Sequence, residues 1–131
     1  MAMRDLVLID TCIWVQFFNR PRSADKRAVD LLLDDDHAAL IGPILAEVLI
    51  GFRRDDQADW VASTLRGIHF LEPSWDEWRS AAQLGRQLTT RGHTLPQSDL
   101  ILAAVARSRS YAVYTTDPHF DLVADLKRHV P

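Results

Sequence analysis

Short apolar runs of strand length alternate along this chain with segments of helical period, and this alternation limits the fold more than any other feature. Leu6-Val7-Leu8-Ile9 is apolar at every position and stops at Asp10, the pattern of a strand buried on both faces, as strands of parallel sheets are. Residues 38–41 (Ala-Ala-Leu-Ile), 68–71 (Ile-His-Phe-Leu) and 111–115 (Tyr-Ala-Val-Tyr-Thr) read as the other strands. Strands separated by helices imply a parallel sheet with right-handed crossovers, in a three-layer α/β sandwich.

The intervening segments carry recognisable start and stop signals. Thr11 to Asn19 sets Ile13, Trp14, Phe17 and Phe18 on one broad face, and Pro21 stops it. Ser23 caps a helix from Ala24 to about Asp34, with Val29, Leu32 and Leu33 facing inward. Gly42-Pro43 turns the second strand into a helix with proline in its first turn. Residues 55–66 form an amphipathic helix with Trp60, Val61 and Leu65. Ser74 followed by Glu77 is a capping-box signature for a helix running to about Arg91, with Gly92 beyond its end. After a loop at 94–98, Asp99 heads the nearly all-apolar residues 100–106, which predict a central helix. Thr116-Asp117-Pro118 is a turn, and 122–127 a final short helical stretch.

At 131 residues, 47% hydrophobic and 25% charged, the chain is expected to form one domain over 1–131, with a core needing no disulfide. Cys12 is the lone cysteine, which points to a reducing cytoplasmic compartment. The opening Met-Ala-Met-Arg-Asp and a four-residue apolar run are too short for a secretory leader. No stretch approaches the roughly 20 apolar residues of a membrane span. A net charge of −3 argues against attachment to nucleic acid through a large basic surface but leaves room for a nuclease. Arginines come in close sets, Arg20 with Arg22, Arg53 with Arg54 and Arg107 with Arg109, which could hold phosphates bidentately or simply solvate helix ends and loops.

In open α/β sheets ligands sit beyond the carboxyl ends of the strands, where Asp10 and Asp117 fall. Singly, Asp10, Asp99 and Asp117 read as a helix cap, a helix start and an Asx-turn. Glu47 does not fit such a reading. It is the only polar residue in Ile44-Leu45-Ala46-Glu47-Val48-Leu49-Ile50, with no capping role and a partly buried position expected. A buried carboxylate must be protonated, paired with a base or bound to a cation. A salt bridge to an arginine is the structural alternative. If the four acids converge, two charges about 4 Å apart repel by roughly 4 kcal/mol at an effective dielectric near 20, so the cluster needs a counter-cation. Oxygen ligands with open water positions suit Mg²⁺ or Mn²⁺, whose chemistry at a phosphodiester is hydrolysis.

Leu8-Ile9-Asp10-Thr11, Glu47 in its apolar helix, Asp99 before an alanine-rich helix and Thr115-Thr116-Asp117-Pro118-His119-Phe120 together resemble the PIN-domain ribonucleases of the VapC toxin type. The resemblance runs over nearly the whole chain. It implies an α/β/α PIN fold, Mg²⁺- or Mn²⁺-dependent endoribonuclease activity on RNA, homodimerisation, and inhibition by a small cognate VapB-type antitoxin. Asp10, Glu47, Asp99 and Asp117 match the acidic quartet. Thr115 matches a hydroxyl residue that supports the site, and Thr11 stands where the family often has Thr or Ser.

Two departures bear on the expectation. His119 stands where many relatives carry a further acid, which weakens one metal position or supplies an imidazole ligand. Only a very short candidate for a last edge strand precedes Pro131, so a shorter sheet is expected. The apolar face of Ile13, Trp14, Phe17 and Phe18, with Trp60 and Val61 nearby, serves either as core or as a docking surface for the antitoxin or a second subunit. Two other functions compete. An aspartyl-phosphate enzyme would use Asp10 as nucleophile, but dehalogenase-like phosphatases carry a second Asp two residues on, where this chain has Cys12. A non-catalytic binding module would not need the intact quartet.

Overall fold

The computed structural model describes residues 5–131. Residues 1–4, which the leader argument includes, lie outside the described residues. Four parallel strands, β1 (Val7–Ile9), β2 (Ala38–Ile41), β3 (His69–Leu71) and β4 (Ala112–Tyr114), form one sheet in the order β3-β2-β1-β4. Among the described residues six α-helices flank it: α1 (Thr11–Asn19), α2 (Ala24–Asp34), α3 (Gly42–Ile50), α4 (Asp55–Leu65), α5 (Trp75–Thr90) and α6 (Gln97–Arg109). This is the expected three-layer α/β/α sandwich.

Every residue of β1 and β2 is buried, which is why these strands are continuously apolar instead of alternating. Their central position brings the ends of β1 and β4 side by side, in the register Ile9 to Tyr114. The very short candidate for a last edge strand is a single parallel bridge between Val113 and Arg128, held by Val113 N–H to Lys127 O at 3.0 Å and His129 N–H to Val113 O at 2.9 Å.

Local signals account for most helix ends. The Ser23 hydroxyl accepts from Lys26 N–H, and Ser74 and Glu77 form the complete reciprocal capping box. Gly92 takes φ +85°, and His93 N–H reaches back to Leu88 O, closing α5 with a left-handed turn. Gly85 lets α5 approach α6, since a Cβ there would meet Leu100 Cδ1 at 2.9 Å.

Three expectations need correction. The last helical stretch lies earlier than 122–127: Asp117 caps a 3-10 helix at Pro118–Leu122, because an Asx cap followed by proline is a stronger nucleus than the polar sequence after it. Helix α6 begins at Gln97, inside the expected loop, so Asp99 is its third residue and not its cap. In α4, Val61 and Leu65 are buried, but Trp60 is 64% exposed. Positions i and i+4 share the core-facing stripe, and Trp60 lies about 100° away from Val61. Its ring meets Phe18 edge-on at 6.0 Å, and Phe18 also meets Phe52 at 6.2 Å. Ile13 and Trp14 belong to the core, whereas Phe17 and Phe18 are half-buried at its edge.

Candidate metal centre

Asp10 leaves the carboxyl end of β1 and caps α1, so one side chain answers two local requirements. Its Oδ1 accepts from Thr11 N–H at 2.8 Å, and its own N–H donates to Tyr114 O at 3.0 Å across to β4. Oδ2 accepts from the Thr115 hydroxyl at 2.7 Å. Thr115 Oγ1 in turn accepts from Asp117 N–H at 3.0 Å. One buried hydroxyl therefore links the first acid to the backbone of the fourth. Asp117 Oδ1 caps His119 N–H at 2.9 Å and lies 3.1 Å from His119 Nδ1.

Asp99 projects from the first turn of α6. Ligand atoms of Asp99, Asp117 and His119 lie within 4.8 Å of one another. Glu47, half-buried in α3, is outside that close group but adds its charge to the same cluster. Both of its oxygens are engaged: Oε1 by the Thr11 hydroxyl at 2.6 Å and Oε2 by the Ser98 hydroxyl at 2.5 Å. No Arg or Lys pairs with Asp10, Glu47, Asp99 or Asp117 among the described residues. The arginine salt bridge considered for Glu47 is thus replaced by two hydroxyl donors.

The electrostatics follow from that arrangement. Burial pushes the Asp10 carboxyl up from its ordinary value, against the hydrogen bonds from Thr115 and Thr11. Burial, then the charges of Asp10, Asp117 and Glu47, push the Asp99 carboxyl up to about 7, opposed by His119. The N-termini of α1 and α6 both face the cluster and offset part of the repulsion. A set of carboxylate oxygens with no Arg or Lys counter-ion among the described residues and a single imidazole beside them, one carboxyl keeping its proton to neutrality, fits a divalent cation.

Without metal, protonation of Asp99 relieves the crowding. Its pKa is raised in the folded state, so this contribution to stability is present at low pH and lost as pH rises through about 7. Thermal melts in EDTA are expected to show a higher midpoint at about pH 6 than at about pH 8, with added Mn²⁺ raising the midpoint most at the higher pH. Equal midpoint shifts at the two pH values would contradict this.

Two site residues escaped sequence reasoning. Ser98 is buried and adjacent to Asp99, but nothing local marks its hydroxyl as a partner for a glutamate 51 positions away. Cys12, read as a redox marker and as a departure from the phosphatase pattern, puts its Sγ 3.6 Å from Asp10 Oδ2 and 3.5 Å from the Thr116 hydroxyl. The arginine sets divide. Arg109 is committed to Glu77, Arg107 donates to Ala124 O and Arg54 pairs with Asp56, whereas Arg20, Arg22 and Arg53 form no ion pair among the described residues.

Residues 7–126 match the PIN domain family. The chain belongs to that family. Within it, the chain is similar to Ribonuclease VapC11 of Mycobacterium tuberculosis, at 28% identity over 123 residues that cover 91% of this chain and 92% of the relative. The same PIN fold occurs in VapBC2 from Rickettsia felis, solved bound to a DNA fragment from its promoter, with a TM-score of 0.80, 19% identity and coverage of 95% and 97%. FitAcB from Neisseria gonorrhoeae superposes with a TM-score of 0.75 at 20% identity, over 96% and 98% of the two chains. No helix of the described residues is long and apolar enough to cross a membrane.

Proposed function

We propose that this PIN domain is a divalent-metal-dependent endoribonuclease, acting as the toxin of a toxin–antitoxin pair. The observation that carries the reading is the convergence of Asp10, Asp99, Asp117 and Glu47 on one end of the sheet with no Arg or Lys paired to them among the described residues. RNA as substrate is supported by the ribonuclease relative VapC11. Asp10, Asp99 and Asp117 would hold Mg²⁺ or Mn²⁺, with Glu47 completing the acidic site. When bound, the cation supplies charge neutralisation at the phosphoryl oxygens and acidifies the attacking water. Thr115 keeps Asp10 and Asp117 in register, and the buried ends of β1 and β4 keep the acids from relaxing apart. An aspartyl nucleophile is disfavoured by the chain itself, which has Cys12 where such enzymes carry a second Asp two residues after the first.

The partner supported by the VapBC neighbours is a small antitoxin. The half-buried Phe18 and Phe52 with the exposed Trp60 offer it an aromatic groove of about 410 Å³, suited to the apolar face of a helix. A homodimer is part of the same proposal.

The test is cleavage of total RNA by purified protein, with and without EDTA, followed by sequencing of the new RNA ends and repeated with Glu47→Gln. Cleavage that persists in EDTA, or that Glu47→Gln leaves unchanged, sinks the reading. Imidazole beside carboxylates favours Mn²⁺ over Mg²⁺. Mn²⁺ is therefore expected to restore cleavage at lower concentration than Mg²⁺, and His119→Asp to narrow the gap, as read from metal titrations of the initial rate.

A further inference from the structure

Glu47 is held by three helices at once. It belongs to α3, its Oε1 accepts a hydrogen bond from Thr11 Oγ1 at the first residue of α1, and its Oε2 accepts one from Ser98 Oγ at the second residue of α6. Each of those residues adjoins a metal-binding acid of the proposed site, Asp10 before Thr11 and Asp99 after Ser98. Hydroxyl hydrogen bonds of 2.5 and 2.6 Å to a carboxylate are at the short, strong end of the range. A carboxylate offers about four lone-pair sites. Two are spent on the hydroxyls, so the rest are oriented by them.

We propose that Thr11 and Ser98 are positioning residues: their hydroxyls clamp Glu47 between the first turns of α1 and α6, and so hold Asp10 and Asp99 at the spacing that binds the divalent cation. This rests on the metal-dependent reading above. The two residues act through Glu47 and touch neither substrate nor cation. The local alternative, that the hydroxyls only satisfy a half-buried acid, predicts altered stability without altered metal affinity.

The test is a thermodynamic cycle on Mn²⁺ binding, measured by calorimetry on the full chain without RNA. Thr11→Val and Ser98→Ala are each expected to weaken Mn²⁺ binding about tenfold, and the double variant about a hundredfold. Thr11→Ser and Ser98→Thr are expected to retain wild-type affinity. In a Glu47→Gln background, removing either hydroxyl is expected to cost nothing further, since the clamp has lost its anion. The proposal is overturned if the folded double variant binds Mn²⁺ like wild type, or if the hydroxyl deletions cost as much in the Glu47→Gln background as in the wild-type one. Circular dichroism establishes folding, and should Thr11→Val not fold, the Ser98→Ala arm decides alone. Because the readout needs no RNA, a wild type that binds Mn²⁺ but cleaves no RNA refutes the ribonuclease reading while the cycle still judges the clamp.

Discussion

Asp99→Asn is expected to lower RNA cleavage by about 10³-fold or more, equivalent to about 4 kcal/mol of transition-state stabilisation. The amide keeps the size of the side chain but removes the charge that the other acids repel, so the metal-free variant should melt no lower than wild type at about pH 8. Asp10→Asn shares the loss of activity for a related reason. Asparagine caps a helix as well as aspartate does, so the Thr11 N–H bond survives while a charged cation ligand disappears. Initial cleavage rates on one RNA, paired with melting curves, separate the two effects. An Asp99→Asn protein that is folded and still cleaves at wild-type rate would remove Asp99 from the machinery.

The largest effect on stability is expected far from the site. Glu77 is 4% exposed in the first turn of α5, and Arg109 at the end of α6 grips it with two nitrogens, Nε to Oε2 at 2.9 Å and Nη2 to Oε1 at 2.8 Å. The same Nη2 donates to Glu72 O at 2.8 Å, tying in the segment before the helix. Burial alone would raise the Glu77 carboxyl, but the Arg109 fork and Ser74 N–H outweigh it and hold it at about 2. Arg109→Ala leaves this carboxylate buried without its cation, at a cost of about 3 kcal/mol, or about 10 °C in melting temperature for a chain of this size. Because the folded value lies below the ordinary 4.5, the contribution is complete above that pH and lost as pH falls toward 2. Urea denaturation of wild type and variant should therefore converge in acid. A constant gap from about pH 6 to about pH 3 would count against the assignment.

These two sites show where sequence reasoning reaches and where it stops. Strand and helix boundaries were legible because caps, proline positions and apolar runs are local, and β1, α1, α2 and β2 fall where expected. The acids were legible because Glu47 had no local explanation and so demanded a distant one. Glu77 was misleading for the opposite reason: the capping box explained it completely, which concealed the ion pair with a residue 32 positions later. Arg109 looked like half of a phosphate-binding pair, since a guanidinium's partner is set by tertiary packing and leaves no trace in its neighbours. Ser98 was invisible on the same ground. Hydroxyls in a first helical turn are common, and only the approach of α3 gives this one a glutamate to hold.

The pairing of β1 with β4 has a consequence for how the molecule is made. Asp10 and Thr115, linked by a hydrogen bond, are 105 residues apart, so joining them closes a loop spanning most of the chain. Loop closure of that length costs entropy that local helix formation does not recover. The strands β1, β2 and β3 lie within residues 7–71, whereas β4 follows α6 at residues 112–114. The acidic cluster therefore needs the last strand of the sheet as well as the first. A nascent or truncated chain lacking β4 retains Asp10 and Glu47 but has no Asp117 to set against them.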